Sequence, residues 1–174
     1  PDRRRAVYDQ DVDDPARRKG LIGRERELGT VARMLDRIAD GGQAQVIVGE
    51  PGIGKTSLLT ACAQEAQRRG VRVLAARGAE SERHLSFATL YDLIGPLLGR
   101  IDRLASGHQA ALSGAFGMAA AESPPELFFV ALAALELVAD WSTEQPILLT
   151  VDDFQWVDAA SRDVIEFIGR RLES

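Results

Sequence analysis

The sequence predicts an α/β domain with a parallel sheet flanked by helices. Three short apolar runs alternate with segments in which apolar residues recur at the spacing of a helix. A glycine-rich loop joins the first run to a helix, and two aspartates follow the third run. Strands that alternate with helices pair in parallel, because the intervening helix carries the chain back across the sheet.

The composition is typical of one globular domain. The 174 residues suffice for a sizeable core, and 45% of them are hydrophobic while 27% are charged. A net charge of −5 provides no overall basic field for nucleic acid. The longest apolar run, residues 127–138, is too short to span a bilayer, so we expect no membrane partner. Cys62 is the single cysteine, which excludes an intrachain disulfide and favours the reducing cytoplasm.

The first twenty residues differ from the rest of the chain. Basic clusters at residues 3–5 and 17–19 are separated by aspartates, which cancel most of their charge. We therefore predict that residues 1–20 are a disordered, solvated leader rather than an arm that binds nucleic acid. Residues 21–174 are predicted to be the N-terminal part of one folded domain.

The first half of this domain is predicted to contain two helices and two strands. Apolar residues recur at helical spacing over Arg24–Asp40 and Lys55–Arg69, and glycines end both segments. The runs Ala44–Val48 and Val71–Ala76 have the short, apolar character of buried strands in a parallel sheet. Cys62 lies on the apolar stripe of the second helix, so we interpret it as a core residue rather than a reactive thiol.

Helices are predicted to fill most of the second half. Segment Phe87–Ile101 has helical spacing but should kink or break at Pro96, and the alanine-rich segment Ala110–Ala121 is a further helix. The tetrapeptide Ser123–Glu126 is expected to start the next helix through a capping box, with a proline at the first helical position. That helix should run to about Trp141.

The loop after the first predicted strand matches the pattern G-x-x-x-x-G-K-[ST] in full. Its residues are Gly49, Glu50, Pro51, Gly52, Ile53, Gly54, Lys55 and Thr56. Backbone N–H groups of such a loop bind phosphate together with the positive end of the following helix dipole. Lys55 is then expected to contact the β- and γ-phosphates, and the Thr56 hydroxyl to be a ligand of Mg²⁺.

A glycine-rich turn that matches by chance is the alternative explanation of this loop. The apolar strand before the loop and the amphipathic helix after it argue against chance, because this is the context in which the motif works. The sequence therefore predicts a P-loop NTPase that binds ATP with Mg²⁺.

Two aspartates follow the third predicted strand, Ile147–Val151, in a Walker B pattern. A carboxylate at the carboxyl end of a parallel strand faces the crevice where ligands bind, so Asp152 is predicted to hold Mg²⁺ directly or through a water. Asp153 is a candidate to orient or deprotonate the attacking water, and its short side chain favours slow turnover. A last helix, Ala159–Leu172, is expected to begin at an Asp158 cap.

Three stretches of the chain form a combined pattern. Residues 21–25 read LIGRE, the loop reads GEPGIGKT, and residues 146–161 read PILLTVDDFQWVDAAS. Together with the segment from Arg77 to Leu98, they resemble the ATPase domain of the large ATP-binding LuxR-type transcriptional regulators. These regulators belong to the signal-transduction (STAND) branch of AAA+-like NTPases. The Asp-Asp-x-Gln-Trp run is the more specific part, because the loop alone occurs in many families.

The resemblance implies an ASCE or AAA+-like fold and a nucleotide switch, in which ATP or ADP toggles a folded-back state against an open, assembling one. It assigns to adenine and ribose three residues before the first strand: Ile22, Gly23 and Arg24. It assigns the phosphates to Gly52–Ser57, the magnesium to Thr56 and Asp152, and the water to Asp153. No chemical role follows from the match for Gln155 and Trp156.

Members of that family continue beyond the position of Ser174 with further strands, a sensor residue, a winged-helix region, repeats and a DNA-binding helix-turn-helix. In their sheet a fourth strand separates the phosphate-loop strand from the Walker B strand. We therefore expect a domain that is incomplete at its C-terminus, a fragment or the product of a truncated reading frame. Its exposed strand edges should promote self-association. DNA would be a partner only through a C-terminal domain absent from this chain.

Two other functions stay open at this point. One is a different P-loop enzyme such as a small-molecule kinase, although residues 87–141 offer neither an arginine-bearing lid nor an acceptor pocket clearly. The other is a truncated remnant that only binds nucleotide or has lost its activity.

Overall fold

A computed structural model describes residues 25–38, 41–119 and 124–172. Within these ranges the chain forms six α-helices and one parallel sheet of two strands, so a parallel sheet flanked by helices is confirmed. The predicted leader, residues 1–20, and the predicted adenine and ribose contacts Ile22, Gly23 and Arg24 lie outside the described residues.

The helices and strands follow one another in the predicted alternation, with one exception at the first predicted strand. The elements are α1 (Glu25–Asp36), α2 (Lys55–Arg68), β1 (Arg72–Arg77), α3 (Ala88–Ile94), α4 (Ser106–Ala115), α5 (Leu127–Ser142), β2 (Ile147–Asp152) and α6 (Ala159–Leu172). Three 3₁₀ segments connect them: Glu80–Glu82, Gly95–Arg103 and Phe154–Trp156.

The register of the sheet aligns the carboxyl ends of its two strands. Arg72 lies opposite Ile147 at the start of the ladder, and Arg77 lies opposite Asp152 at its end. Parallel strands of equal length that begin level also end level. The loops that leave β1 and β2 therefore start side by side at one edge of the sheet.

Helices pack on both faces of this sheet, because side chains alternate between the faces along each strand. Leu74 of β1 and Leu149 of β2 pack into the larger core, which α3, α5 and α6 complete with their buried apolar side chains. Val73 and Leu148 point to the other face and pack with Leu35 of α1 and Ala66 of α2, the latter fully buried.

Cys62 is confirmed as a core residue. Its side chain is buried on α2. Burial raises the pKa of the thiol to about 11, against a smaller lowering by a backbone hydrogen bond. The thiolate, which is the reactive form, is therefore scarce at neutral pH.

The prediction of a buried strand over Ala44–Val48 is wrong. These residues have no regular secondary structure, and Val46 and Val48 are 85% and 87% exposed. The chain just before this segment lies against the end of α6, since a Cβ added to Gly42 would be 2.6 Å from Leu172 Cδ2. An apolar, β-branched run forms a strand only where a neighbour supplies a hydrogen-bonded ladder. Among the described residues β1 and β2 pair only with each other.

The bounds of two helices, α4 and α5, also differ from the prediction. Helix α5 starts at Leu127 rather than in the first turn predicted from Pro124, and Glu126 is extended with φ −67° and ψ 126°. The reason is that Pro124 precedes a second proline, which disfavours helical backbone at the preceding residue. Helix α4 starts at Ser106, four residues before the predicted start at Ala110, and ends at Ala115, six residues before the predicted end at Ala121. The predicted break at Pro96 is confirmed, because α3 ends at Ile94 and a 3₁₀ segment follows.

One buried carboxylate joins the first turns of α3 and α6. Asp158 is 2% exposed, and its Oδ1 accepts the backbone N–H groups of Ser161 and Phe87, both at 2.9 Å. Its Oδ2 accepts the N–H of Thr89 at 3.2 Å, and the Ser161 hydroxyl oxygen accepts the N–H of Leu90 at 2.8 Å. The predicted cap of the last helix is therefore confirmed, and the same side chain also caps α3.

This shared cap depends on the charge of the carboxylate. Burial by itself raises the pKa of Asp158, but hydrogen bonds from Ser161, Thr89 and Phe87 lower it more, so the folded-state pKa lies below its ordinary value. A group with a depressed folded-state pKa stabilises the fold above its unfolded pKa, about 3.9 for aspartate. That contribution is lost as the pH falls through the folded-state pKa.

We expect Asp158→Ala to lower the free energy of unfolding by about 1.5–3 kcal/mol at pH 7, because buried N–H groups lose a charged acceptor. Urea denaturation followed by circular dichroism measures this loss. The difference from the unchanged chain should shrink as the pH falls below the unfolded-state pKa of aspartate, about 3.9. Asp163→Ala, at an exposed position of the same helix, is the matched control. A loss that does not change over this range would contradict the role of the charge.

Candidate nucleotide-binding site

The glycine-rich loop leads directly into the first turn of α2. Gly52 and Gly54 have φ values of 79° and 94°, in the left-handed region that favours glycine. Gly54 precedes α2, a helix of 14 residues, and its carbonyl accepts the N–H of Leu58 at 3.0 Å. The loop residues Gly49 to Ile53 are exposed, and Ser57 is partly buried in the first turn of the helix. The loop therefore presents its backbone to solvent at the positive end of a helix dipole.

Lys55 lies against the loop that precedes it. Its ammonium nitrogen donates hydrogen bonds to the carbonyl oxygens of Gly49 at 2.7 Å and Glu50 at 3.0 Å. These bonds connect the start of the loop to the start of the helix. The cationic group predicted to contact phosphate is therefore held within the loop itself.

The two predicted magnesium ligands lie in direct contact. The Thr56 hydroxyl donates to Asp152 Oδ2 at 2.8 Å, although the two residues are 96 positions apart in the sequence. Asp152 ends β2 and is only 7% exposed, and its Oδ1 accepts the N–H of Asp153 at 3.0 Å. The Walker A and Walker B predictions therefore converge on one point at the carboxyl end of the sheet.

These two residues fit Mg²⁺. A hydroxyl and a carboxylate are hard oxygen donors, and Mg²⁺ is usually held by one or two protein groups together with phosphate oxygens and waters. Nowhere in the described ranges do three or more His, Cys, Asp or Glu side chains form a group that could hold a metal ion. A magnesium ion at Thr56 and Asp152 would therefore depend on a bound phosphate for further ligands.

Asp153 lies next to this point but contacts a different part of the sheet. Its Oδ2 accepts a hydrogen bond from Arg77 Nε at 2.7 Å and forms an ion pair with Arg77 Nη2 at 2.6 Å. Its Oδ1 is 3.4 Å from the side-chain nitrogen of Gln155. The backbone of Asp153 has φ 49° and ψ 45°, an uncommon conformation for a residue other than glycine. The predicted role of Asp153 toward water stays a prediction.

Gly78 supports the turn that contains Asp153. A Cβ on Gly78 would lie 2.7 Å from the backbone nitrogen of Val157 and 2.8 Å from the carbonyl carbon of Trp156, and closer still to the Asp153 oxygen. Its N–H donates to the Asp152 carbonyl at 2.9 Å. Only a glycine leaves room for the Walker B turn to rest on the end of β1.

Trp156 packs within the same turn. Its backbone N–H donates to the Asp153 carbonyl at 2.8 Å, and the Arg83 guanidinium lies 5.4 Å from the centre of its ring. The side chain is partly buried. These contacts give Trp156 a role in packing the two adjacent loops together.

Sequence reasoning missed Arg77 and Gly78 as site residues. A signal was present, because both follow directly from the end of a predicted strand, and the carboxyl ends of paired parallel strands meet at one edge. What the sequence could not provide was the register that places Arg77 opposite Asp152.

A family model matches most of the sequence. The model of the family described as the AAA ATPase domain matches residues 20–174. No curated protein and no solved structure matches the chain. Among the described helices, none has both the length and the apolar character needed to cross a membrane.

We expect Gly78→Ala to destabilise the chain by about 1–3 kcal/mol, because the added methyl group must displace backbone of the Walker B turn. Thermal and urea unfolding measure the loss. Gly99→Ala is the matched control, since a Cβ there meets no atom within 4 Å. Equal stability of the two variants would show that the turn does not rest on Gly78.

Proposed function

This chain belongs to the AAA ATPase domain family, and on that basis we propose that it binds ATP with Mg²⁺ at the loop Gly49–Thr56 and hydrolyses it slowly. The hydrogen bond between Thr56 and Asp152 carries this proposal. It connects the last residue of the glycine-rich loop to the aspartate that ends β2, at the carboxyl edge of a parallel sheet. Ligands bind at that edge in open α/β folds.

Each group of residues in the site would bind a different part of the ATP–Mg²⁺ complex. The backbone N–H groups of the loop and the N-terminus of α2 would face the phosphates, and Lys55 would exchange its carbonyl contacts for phosphate oxygens. Thr56 and Asp152 would hold Mg²⁺, which supplies positive charge against the phosphates. Asp153 would orient the attacking water from the adjacent position.

Adenine and ribose are proposed to lie near Ile22, Gly23 and Arg24. The support for this is the resemblance of residues 21–25 to the stretch before the first strand in the LuxR-type regulators. Those three residues lie outside the described part of the chain.

The same resemblance supports a role as a nucleotide switch in a cytoplasmic signal-transduction protein. Any effect on transcription would require a DNA-binding domain elsewhere in that protein. The exposed valines 46 and 48 support the further proposal of self-association, because exposed apolar chain promotes contacts with other copies.

We expect Lys55→Ala to weaken binding of ATP–Mg²⁺ by about 10- to 150-fold. The lost charge-assisted contact to phosphate corresponds to roughly 1.5–3 kcal/mol. Calorimetric titration measures the affinity, and Arg68→Ala at the exposed far end of α2 is the control. Equal affinity of the Lys55 variant and the unchanged chain would refute the site.

The two aspartates are expected to differ in effect. Asp152→Asn should lower nucleotide affinity in the presence of Mg²⁺ and change it little in EDTA, since it removes a charged metal ligand. Asp153→Asn should leave affinity nearly intact and lower turnover. Titrations with and without Mg²⁺, together with a phosphate-release assay, test both. Loss of binding in Asp153→Asn with normal binding in Asp152→Asn would reverse the assignment.

A further inference from the structure

The Asp153 carboxylate has a separate donor at each of its oxygens. Arg77 donates a hydrogen bond from Nε to Oδ2 at 2.7 Å, and its Nη2 forms an ion pair with the same oxygen at 2.6 Å. The side-chain amide of Gln155 lies 3.4 Å from Oδ1, which leaves that oxygen with a long and weak contact. One oxygen is thus held firmly and the other remains able to accept a further hydrogen bond.

The backbone beneath this carboxylate is held as well. Asp153 is one of two residues other than glycine with positive φ in the described chain. Its carbonyl accepts the N–H of Trp156 at 2.8 Å, and Gly78 packs against the same turn. Backbone in such a conformation is strained and persists where surrounding contacts enforce it. The direction of the Asp153 side chain is therefore set from both ends.

We propose that Arg77 and Gln155 are positioning residues for Asp153, an inference that rests on the proposed ATP hydrolysis. By holding Oδ2, Arg77 directs Oδ1 toward the attacking water. That water donates a hydrogen bond to Oδ1 and transfers its proton there as its oxygen bonds to the γ-phosphorus. The bond from that phosphorus to the bridging oxygen breaks, and ADP leaves with the electron pair. The proton then passes from Oδ1 to the phosphate product.

The exposure of Arg77 separates positioning from stability. The Arg77 side chain is 66% exposed and that of Asp153 is 28% exposed, so water and salt screen the ion pair from the arginine side and reduce its contribution to stability. A merely structural role would therefore leave almost no trace when Arg77 is removed. Positioning predicts the reverse, a small change in melting temperature with a large change in turnover.

Arginine suits this role through its shape. Its planar guanidinium presents several N–H donors in a fixed fork, and two of them reach the same oxygen of Asp153. A lysine at position 77 keeps the charge but offers a single flexible ammonium. Arg77→Lys should therefore recover part, but not all, of what Arg77→Ala loses.

The test combines turnover with capture of a transition-state analogue by the full chain. We expect Arg77→Ala to lower kcat for ATP at least tenfold, with KM and ADP affinity within threefold of the unchanged chain. ADP, Mg²⁺ and aluminium fluoride together mimic the transition state, in which the γ-phosphoryl group lies between ADP and the attacking water. Aluminium fluoride should increase the affinity of the unchanged chain for ADP–Mg²⁺. This increase should be at least tenfold smaller in Arg77→Ala and at least threefold smaller in Gln155→Ala. In Arg77→Lys the increase should be intermediate between those of Arg77→Ala and the unchanged chain.

A double variant tests whether Arg77 affects turnover through Asp153. Arg77→Ala combined with Asp153→Asn should be no slower than Asp153→Asn alone, because Arg77 acts through Asp153. Arg103→Ala, which removes an arginine of similar exposure paired with Asp140, should change nothing.

Different failures have different meanings. If Lys55→Ala and the unchanged chain bind ADP equally, the proposed function itself fails. If ADP binds as proposed but aluminium fluoride adds no affinity, or Arg77→Ala keeps the full gain, the positioning role is overturned while nucleotide binding stands. Additive losses in the double variant would likewise overturn it.

Discussion

The level pairing of β1 with β2 is the constraint on which the rest of the site depends. Because the strands run parallel and Arg77 lies opposite Asp152, both leave the sheet at one edge. The two loops therefore run side by side. They are in contact near the sheet, where Arg77 binds Asp153, and at the helix starts, where the Phe87 N–H donates to Asp158. A shift of one residue in the ladder would separate every one of these pairs and reverse which side chains face the core.

The strained backbone of the described chain is confined to these two loops. Phe87 and Asp153 are its only residues other than glycine with positive φ. Each is held through a carboxylate: Asp158 accepts the N–H of Phe87, and Asp153 binds Arg77 with its own side chain. Strain held in this way is common where a protein binds ligands or switches. The two positions of unusual backbone thus coincide with the two places where a carboxylate connects the loops.

The sequence predicted most accurately what local chemistry decides. Asp158 caps a helix because its oxygen reaches an N–H three residues on. Thr56 and Asp152, which the motifs assigned to one magnesium ion, lie in contact although 96 positions separate them. The predictions that failed or were missed depend on which segments lie next to each other in the fold. The run Ala44–Val48 has the composition of a strand, but no hydrogen-bonded ladder reaches it. The ion pair of Arg77 with Asp153 needs a register that no local pattern encodes.

The irregular backbone of residues 41–50 has a consequence for the thermodynamics of binding. When a strand precedes a loop, pairing in the sheet already restricts the backbone at the start of that loop, so part of the conformational entropy is lost on folding and not on ligand binding. Here the first half of the phosphate loop follows a segment without such a ladder, and contacts from Lys55 hold it to α2. Any ordering still to be completed is then subtracted from the observed affinity. By linkage, a ligand that binds only the folded chain would raise its thermal stability by an amount that grows with the logarithm of the ligand concentration above Kd.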